Sequence, residues 1–201
     1  MRKPSRRLII LKPVRTDPEA LGDAGGDHVM VAVWDPLVRL FHWGIVASFA
    51  IAWFSAARSD DVHMWAGYVA AVLVAFRLVW GLAGTRHARF IDFVRSPLAV
   101  IAYLRDISVG REARYLGHNP AGGAMILVLL AALLLTAFSG WLETTDAYYG
   151  VSWVQDTHSY AAHGILVLVA LHVGGVALAS VRHKENLVRA MITGRKRSLS
   201  E

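Results

Sequence analysis

Four long apolar runs are the feature that most constrains the fold of this 201-residue chain. About 20 apolar residues, each rising 1.5 Å along a helix, cross the hydrocarbon core of a bilayer. A bilayer accepts only helices or closed barrels, and these runs lack the alternation of barrel strands. The sequence therefore predicts an all-α membrane protein with a four-helix transmembrane bundle. The runs are Leu40–Ala57, Val62–Gly84, Ala121–Leu142 and Ser159–Val181, and their only charged residue is Arg77.

Lysine and arginine are concentrated in three segments outside these runs. Seven lie in residues 1–39, six in 85–118 and six in 182–197, whereas the other two loops contain only Arg58. The positive-inside rule then predicts a multi-pass protein of the bacterial inner membrane with both termini in the cytoplasm. The net charge of +6 thus reflects topology on a membrane lipid surface, and the pattern does not indicate nucleic-acid binding.

The cytoplasmic segments differ in their patterning. Residues 1–30 mix proline, glycine and charge without periodicity, which predicts a mobile tail before a domain at 31–197, and residues 198–201 form a second tail. In the middle loop, apolar residues recur at three-to-four spacing between Phe90 and Ile107. This spacing predicts an amphipathic helix at the cytoplasmic interface, interrupted at Pro97 or beginning its second half there.

The chain contains no cysteine, which excludes iron–sulfur clusters, thiolate zinc sites and covalent haem attachment. Histidine is then the strongest candidate for binding a metal, and ionisable residues in membrane helices are functional candidates by default. His42 and His63 lie near the starts of the first and second runs. The fourth run begins just after His158 and contains His163 and His172.

Spacing separates the three histidines of the fourth helix. His158 and His172 are fourteen residues apart, which places them on one face and roughly 21 Å apart along the axis. His163 is offset from both by well over 90°. It is expected to face another helix or the lipid headgroups.

Height in the membrane predicts two pairs of histidines. His42 and His172 both lie toward the cytoplasm, whereas His63 and His158 both lie toward the outside. Two pairs at two levels match two bis-histidine haems, stacked across the bundle and suited to electron transfer. Nearby glycines would allow close approach of a flat macrocycle, although small residues are common in membrane packing. A haem-free proton relay that uses the same histidines, or a helical anchor, is the alternative.

Two arginines are weaker candidates for cofactor binding. Arg77, inside the second helix, can pair with a haem propionate or polarise a quinone carbonyl, or extend to the interface. Arg39, just before the first helix, can also reach a propionate or serve only as a topology charge. No residue is assigned a catalytic role.

The chain resembles the bacterial cytochrome b561 family, which includes the cytochrome b subunit of nickel–iron hydrogenases. The resemblance runs from about residue 31 to residue 197 and recurs in all four helices. It implies two non-covalent b-type haems, with His42 and His172 on the inner iron and His63 and His158 on the outer iron. The matching segments are VWDPLVRLFHW (33–43), HMWAGY (63–68), FRLVWGL (76–82), RYLGHNP (114–120), DTHSYAAHGILVLVALHVGGV (156–176) and HKENLVRAMITGRKR (183–197).

The resemblance also implies a function. Family members pass electrons between a membrane quinone and a partner on one side, such as a c-type cytochrome or a periplasmic oxidoreductase. The short chain, with an outer loop of roughly fifteen residues between the third and fourth helices, favours a stand-alone quinone-linked oxidoreductase, of the kind that passes electrons from superoxide to ubiquinone. The alternative is an anchor subunit for a hydrogenase. The sequence does not specify the oligomeric state or the direction of electron flow.

Overall fold

A computed structural model describes residues 30–86 and 88–198, and it contains the four predicted spans. The chain is therefore a multi-pass helical membrane protein, as the apolar runs predict. The predicted N-terminal tail lies outside the described residues except for Met30, which begins β1. The spans are α1 (Pro36–Ser55), α2 (Asp60–Ala83), α5 (Pro120–Glu143) and α6 (Ser152–Arg182), and the shorter elements are β1 (Met30–Ala32), α3 (Phe90–Phe93), α4 (Pro97–Ser108), α7 (Leu187–Thr193) and β2 (Arg195–Arg197).

Capping residues set where the helices begin. Asp35 accepts a hydrogen bond from the backbone N–H of Val38 and caps α1, and Asn119 caps α5 through Gly122. Proline follows each of these caps at the first helical position, where its missing N–H costs nothing. Pro97 likewise starts α4 after Ser96, so it begins the second half of the predicted loop helix.

Two helices extend beyond their apolar runs. α1 begins four residues before Leu40, so Arg39 and His42 lie inside its first two turns. α6 begins seven residues before Ser159, which leaves an outer loop of residues 144–151, shorter than the roughly fifteen residues expected. His158 therefore lies in the second turn of α6 rather than at its start, because polar residues at the membrane interface continue the helix.

The four spans form a bundle, in which neighbouring spans pack on one another and α6 reaches α1 and α2 through histidine side chains. α1 packs on α2, α2 on α5 and α5 on α6. A small core of Phe41, Ile45, Val74 and Leu130 joins the first three spans. Most other large apolar side chains in the spans are exposed, as expected for helices whose outer faces contact lipid.

The described parts of the three cytoplasmic segments, from residue 30 onward, meet on one face of the bundle, called the basic face below. β1 pairs antiparallel with β2, so the segment before α1 lies beside the segment after α7. The middle loop joins them through Glu185, which accepts a hydrogen bond from Arg114 at 3.1 Å and lies 3.6 Å from Lys196 Nζ. Lys196 also donates to the Tyr115 carbonyl at 3.0 Å. The described arginine and lysine residues of these segments thus lie at the end of the bundle where α1 begins and α6 ends.

Replacing Glu185 by glutamine is expected to destabilise this face by about 3 kcal/mol, because it leaves the largely buried Arg114 and Lys196 without a counter-charge. The readout is the thermal midpoint in mild detergent. Asp92→Asn is the matched control, since its ion pair with Arg89 is much more exposed than that of Glu185 and is worth about 1 kcal/mol. Equal effects of the two substitutions would contradict the structural role of Glu185.

The same cluster predicts a loss of stability in acid. Burial acts to raise the pKa of Glu185, but the hydrogen bond from Arg114 and the charge of Lys196 outweigh it, so the pKa lies below its ordinary value of 4.5. An acid with a lowered pKa stabilises the fold above its unfolded pKa and loses that contribution as the pH falls through the folded value. The thermal midpoint of the wild-type protein is therefore expected to decrease as the pH is lowered below about 4.5. The Glu185→Gln variant should show a smaller decrease over the same pH range.

Candidate functional site

His63 of α2 and His158 of α6 come together at the end of the bundle opposite the basic face. Their ring centroids lie 5.9 Å apart and the ring planes are inclined by 73°. Sequence reasoning predicted this pair from height alone. The structure brings the two rings within direct reach of each other.

Both rings are held by backbone carbonyls. His63 Nδ1 lies 2.9 Å from the Ala52 carbonyl oxygen, and His158 Nδ1 lies 2.9 Å from the Thr136 carbonyl oxygen. A carbonyl accepts only, so each Nδ1 carries the proton and donates it. The lone pair of each imidazole is then on Nε2, which is the usual arrangement for a histidine metal ligand.

The distance between the two rings fits one metal ion between them. Metal–imidazole bonds are about 2 Å long, and a ring nitrogen lies about 1.1 Å from its centroid, so two rings on opposite sides of one metal have centroids about 6 Å apart. The observed 5.9 Å agrees. Among residues 30–86 and 88–198, no three metal-binding side chains converge. His63 and His158 are the residues that would hold the iron of a bound haem at this level.

Gly140 of α5 makes this arrangement possible. A Cβ at Gly140 would lie 2.8 Å from His158 Cε1 and 3.0 Å from its Nδ1, closer than a packed methyl group can lie. The glycine therefore lets the imidazole lie flat against α5 and reach the Thr136 carbonyl. Ser139, which is buried, adds a contact of 3.4 Å to His158 Nδ1.

His42 of α1 and His172 of α6 form the second pair, nearer the basic face. They lie close enough to interact electrostatically, and both side chains are half-buried. His42 Nδ1 is buried without a hydrogen-bond partner among the described residues, and its ring lies edge-on to Trp43. A buried polar atom of this kind requires a partner, which a bound metal group can supply. Fourteen residues of continuous helix separate His172 from His158, or roughly 21 Å.

His163 lies away from both pairs, as its spacing predicts. It is exposed, its Nδ1 lies 2.7 Å from the Ser159 carbonyl, and its ring lies edge-on to Trp53 of α1. Of the glycines near the paired histidines, Gly44 packs on Leu73, whereas an added Cβ at Gly67 or Gly174 would meet no heavy atom within 4 Å. Gly44 thus serves helix packing, and the other two leave space beside the histidines.

Arg77 is buried rather than extended to the interface. Only 2% of its surface is exposed, its Nη2 donates to the Ala88 carbonyl at 3.0 Å, and its guanidinium lies over the Phe90 ring at 4.9 Å. Nη1 is buried and has no partner among the described residues. Arg77 is fourteen residues from His63 and so lies on the same face of α2, at the level of the inner pair.

Arg39 is tied to the C-terminal segment. Its Nη1 donates to the Ile192 carbonyl at the end of α7, and its guanidinium lies close to Gly194. The described contacts therefore give Arg39 a role in joining α1 to α7.

Comparison with known proteins identifies the family. The profile of prokaryotic cytochrome b561 proteins matches residues 33–194, which covers all four spans and both histidine pairs. The chain belongs to the prokaryotic cytochrome b561 family. It is a membrane cytochrome with b-type haem that functions in electron transport, as the sequence resemblance implies.

Relatives that match most of the chain are probable hydrogenase subunits, with low sequence identity to it. A probable Ni/Fe-hydrogenase B-type cytochrome subunit of Rhizobium leguminosarum bv. viciae is 24% identical over an alignment 225 positions long, which covers 89% of this chain and 93% of the relative. The corresponding protein of Cupriavidus necator is 26% identical, covering 81% and 85%. No solved structure matches the chain significantly.

Sequence reasoning missed the groups that orient the outer histidines. The Ala52 and Thr136 carbonyls carry no side-chain signal, so only the folded backbone identifies them. Gly140 did have a signal, because the Ser139–Gly140 pair is small within a helix otherwise rich in leucine. Such a pair indicates that a side chain from a neighbouring helix comes close.

Proposed function

We propose that this cytochrome b561 protein carries electrons across the membrane through two b-type haems, one on His63 and His158 and one on His42 and His172. The outer pair supports the proposal most strongly, because two imidazoles from different helices have ring centroids 5.9 Å apart and each Nδ1 is held on a carbonyl oxygen. The inner pair rests on its shared level and on the unsatisfied Nδ1 of His42. A haem-free proton relay does not explain why both outer rings are fixed in the same tautomer.

The chain's residues set the chemistry that the haems supply, which is one-electron oxidation and reduction at two levels. Each pair would supply two protein ligands to its haem, an arrangement that suits electron transfer rather than oxygen binding. The carbonyl acceptors make each outer imidazole a stronger donor to the metal, which favours the oxidised state. Each pair has one histidine on α6, His158 or His172, so this continuous helix keeps the two pairs at a constant distance along the membrane normal.

We place a quinone site at the inner level. Arg77 supports this placement, since its buried Nη1 is a donor suited to a quinone carbonyl or a haem propionate. The three basic segments on the same face support a cytoplasmic position for both termini in a bacterial inner membrane. Arg39 is a second candidate to bind a haem propionate, and its guanidinium also donates a hydrogen bond to α7.

Electrons enter or leave on the opposite face through a protein or small-molecule partner. Two kinds of partner fit the observations. The curated relatives favour a Ni/Fe hydrogenase, because they match the chain over most of both lengths. The short outer loops, residues 56–59 and 144–151, favour a stand-alone protein that takes electrons from superoxide or a c-type cytochrome.

The test of this proposal is the haem content of the protein purified in mild detergent from haem-replete cells. We expect about two haems b per chain, because each described pair supplies two axial ligands, and a low-spin spectrum after reduction with dithionite. One haem per chain would show that one of the pairs is misassigned. Protein without haem would overturn the electron-transfer proposal.

A second measurement separates the two partners. Oxidised cytochrome is mixed with a ubiquinone analogue, and the protein is then supplied either with superoxide or with a purified Ni/Fe hydrogenase and hydrogen. Haem reduction by superoxide alone supports the stand-alone protein. Reduction that requires hydrogenase and hydrogen supports the anchor subunit.

A further inference from the structure

A polar cavity of about 360 Å³ lies on the basic face, outside the histidine pairs. Arg86 and Arg95 line it from the loop around α3, and Tyr115 and His118 line it from the segment before α5. Its volume is at the lower end of the range for small-molecule sites, about 300 to 1,000 Å³. It is therefore large enough for a compact polar group.

The floor of the cavity is rigid. The His118 ring lies between Trp34 and Phe93, with ring centroids 4.5 Å and 4.6 Å away. Phe93 is 4% exposed and packs against Gly123, where an added Cβ would lie 2.9 Å from the Phe93 carbonyl oxygen. The cavity is thus built on α5 and on the segment before α1, not on a loose loop.

The same packing fixes the depth of the cavity in the membrane. Phe90 packs so closely on Gly81 that an added Cβ there would overlap the Phe90 ring. Gly81 is two residues from the end of α2, and Gly123 is three residues from the start of α5, so both lie within about 5 Å of the span ends. The cavity therefore lies at the level of the lipid headgroups.

Charge and apolar exposure indicate the occupant. Among the described residues that line the cavity, the acidic one is Asp92, which is paired with Arg89 at 3.0 Å, so these lining residues keep a net positive charge. Ile91 in the cavity wall is 82% exposed, and Leu98 on the adjoining α4 is 78% exposed. An apolar rim beside a basic cavity fits a molecule with an anionic head and acyl chains.

We propose that this cavity binds the phosphate-bearing headgroup of an anionic phospholipid, with Arg86 and Arg95 contacting the phosphate and the exposed face of α3 and α4 contacting the acyl chains. The inference requires only that the chain spans a membrane, so it is independent of the haem ligands. A bound headgroup would hold the middle loop against the ends of α2 and α5.

Native mass spectrometry of the purified protein tests the proposal. The protein is mixed with equal amounts of phosphatidylglycerol and phosphatidylcholine in mild detergent, and bound lipids are counted. We expect one tightly retained phosphatidylglycerol. Arg86→Gln with Arg95→Gln should weaken its binding about 25-fold, from about fivefold for each arginine.

Matched controls separate a site from general charge attraction. Arg105→Gln with Arg111→Gln removes the same charge from the same middle loop, outside the cavity, and should leave binding unchanged. Arg86→Lys with Arg95→Lys keeps the charge and should retain most of the binding, which shows that loss in the Gln variant is not misfolding. Equal loss in the control pair, no preference for phosphatidylglycerol, or displacement of the lipid by excess inorganic phosphate would each overturn the proposal.

Discussion

Replacing His172 by alanine is expected to remove the inner haem and leave the outer haem in place. His172 is assigned as an axial ligand to the inner iron only, and fourteen residues of helix separate it from His158. An iron that loses one of two protein ligands is held far more weakly, because the haem has no covalent attachment in a chain without cysteine. The haem content should fall from about two per chain to about one.

The matched controls lie on the same helix. His163→Ala removes an imidazole from α6 at a position that faces Trp53, so both haems should remain. His158→Ala should remove the outer haem and leave the inner one. The two single-haem variants should have different reduced spectra and midpoint potentials, since each retains a different haem.

Retention of both haems in His172→Ala would show that the inner pair is wrong. Loss of both in that variant, with His163→Ala intact, would show that the two levels do not fold independently. Redox titration of each variant, followed by its visible spectrum, distinguishes these outcomes.

The sequence predicted the spans well because their signal is a bulk property. Apolar runs of about twenty residues favour a transmembrane helix in a bilayer, and only the predicted ends of the helices differ from the observed ends. Those ends were misplaced at Arg39 and at residues 152–158, where polar residues continue the helix beyond the hydrocarbon. Cap geometry at Asp35, not hydropathy, determines where α1 begins.

The histidine pairs could also be predicted, since helical periodicity and height depend only on position in the chain. The groups that surround and orient these histidines could not be predicted from the sequence. The contacts of Ala52 and Thr136 are made by backbone atoms, and the pairing of β1 with β2 joins segments more than 160 residues apart with only three residues each. Neither feature leaves a compositional trace. The contact of Arg39 with Ile192 has the same origin, because it depends on where α7 folds back.

Gly140→Ala is expected to disrupt the outer haem and spare the inner one. The new methyl group would lie 2.8 Å from His158 Cε1, so the imidazole must move away from α5 and lose its bond to the Thr136 carbonyl. Overpacking of this kind costs about 1–3 kcal/mol, which corresponds to roughly five- to 150-fold weaker binding of the outer haem. A haem that remains should have a higher midpoint potential, because an imidazole without its acceptor is a poorer donor.

Gly164→Ala is the control, since an added Cβ at that position of α6 meets no heavy atom within 4 Å. Both variants add one methyl group to a membrane helix, so a general effect of glycine replacement would appear in both. The inner haem serves as an internal reference in the same sample. A change confined to the outer haem of Gly140→Ala would establish that α5, which supplies no ligand, positions His158 through its backbone. An outer haem with unchanged occupancy and potential would mean that His158 binds its iron in an orientation different from the one described.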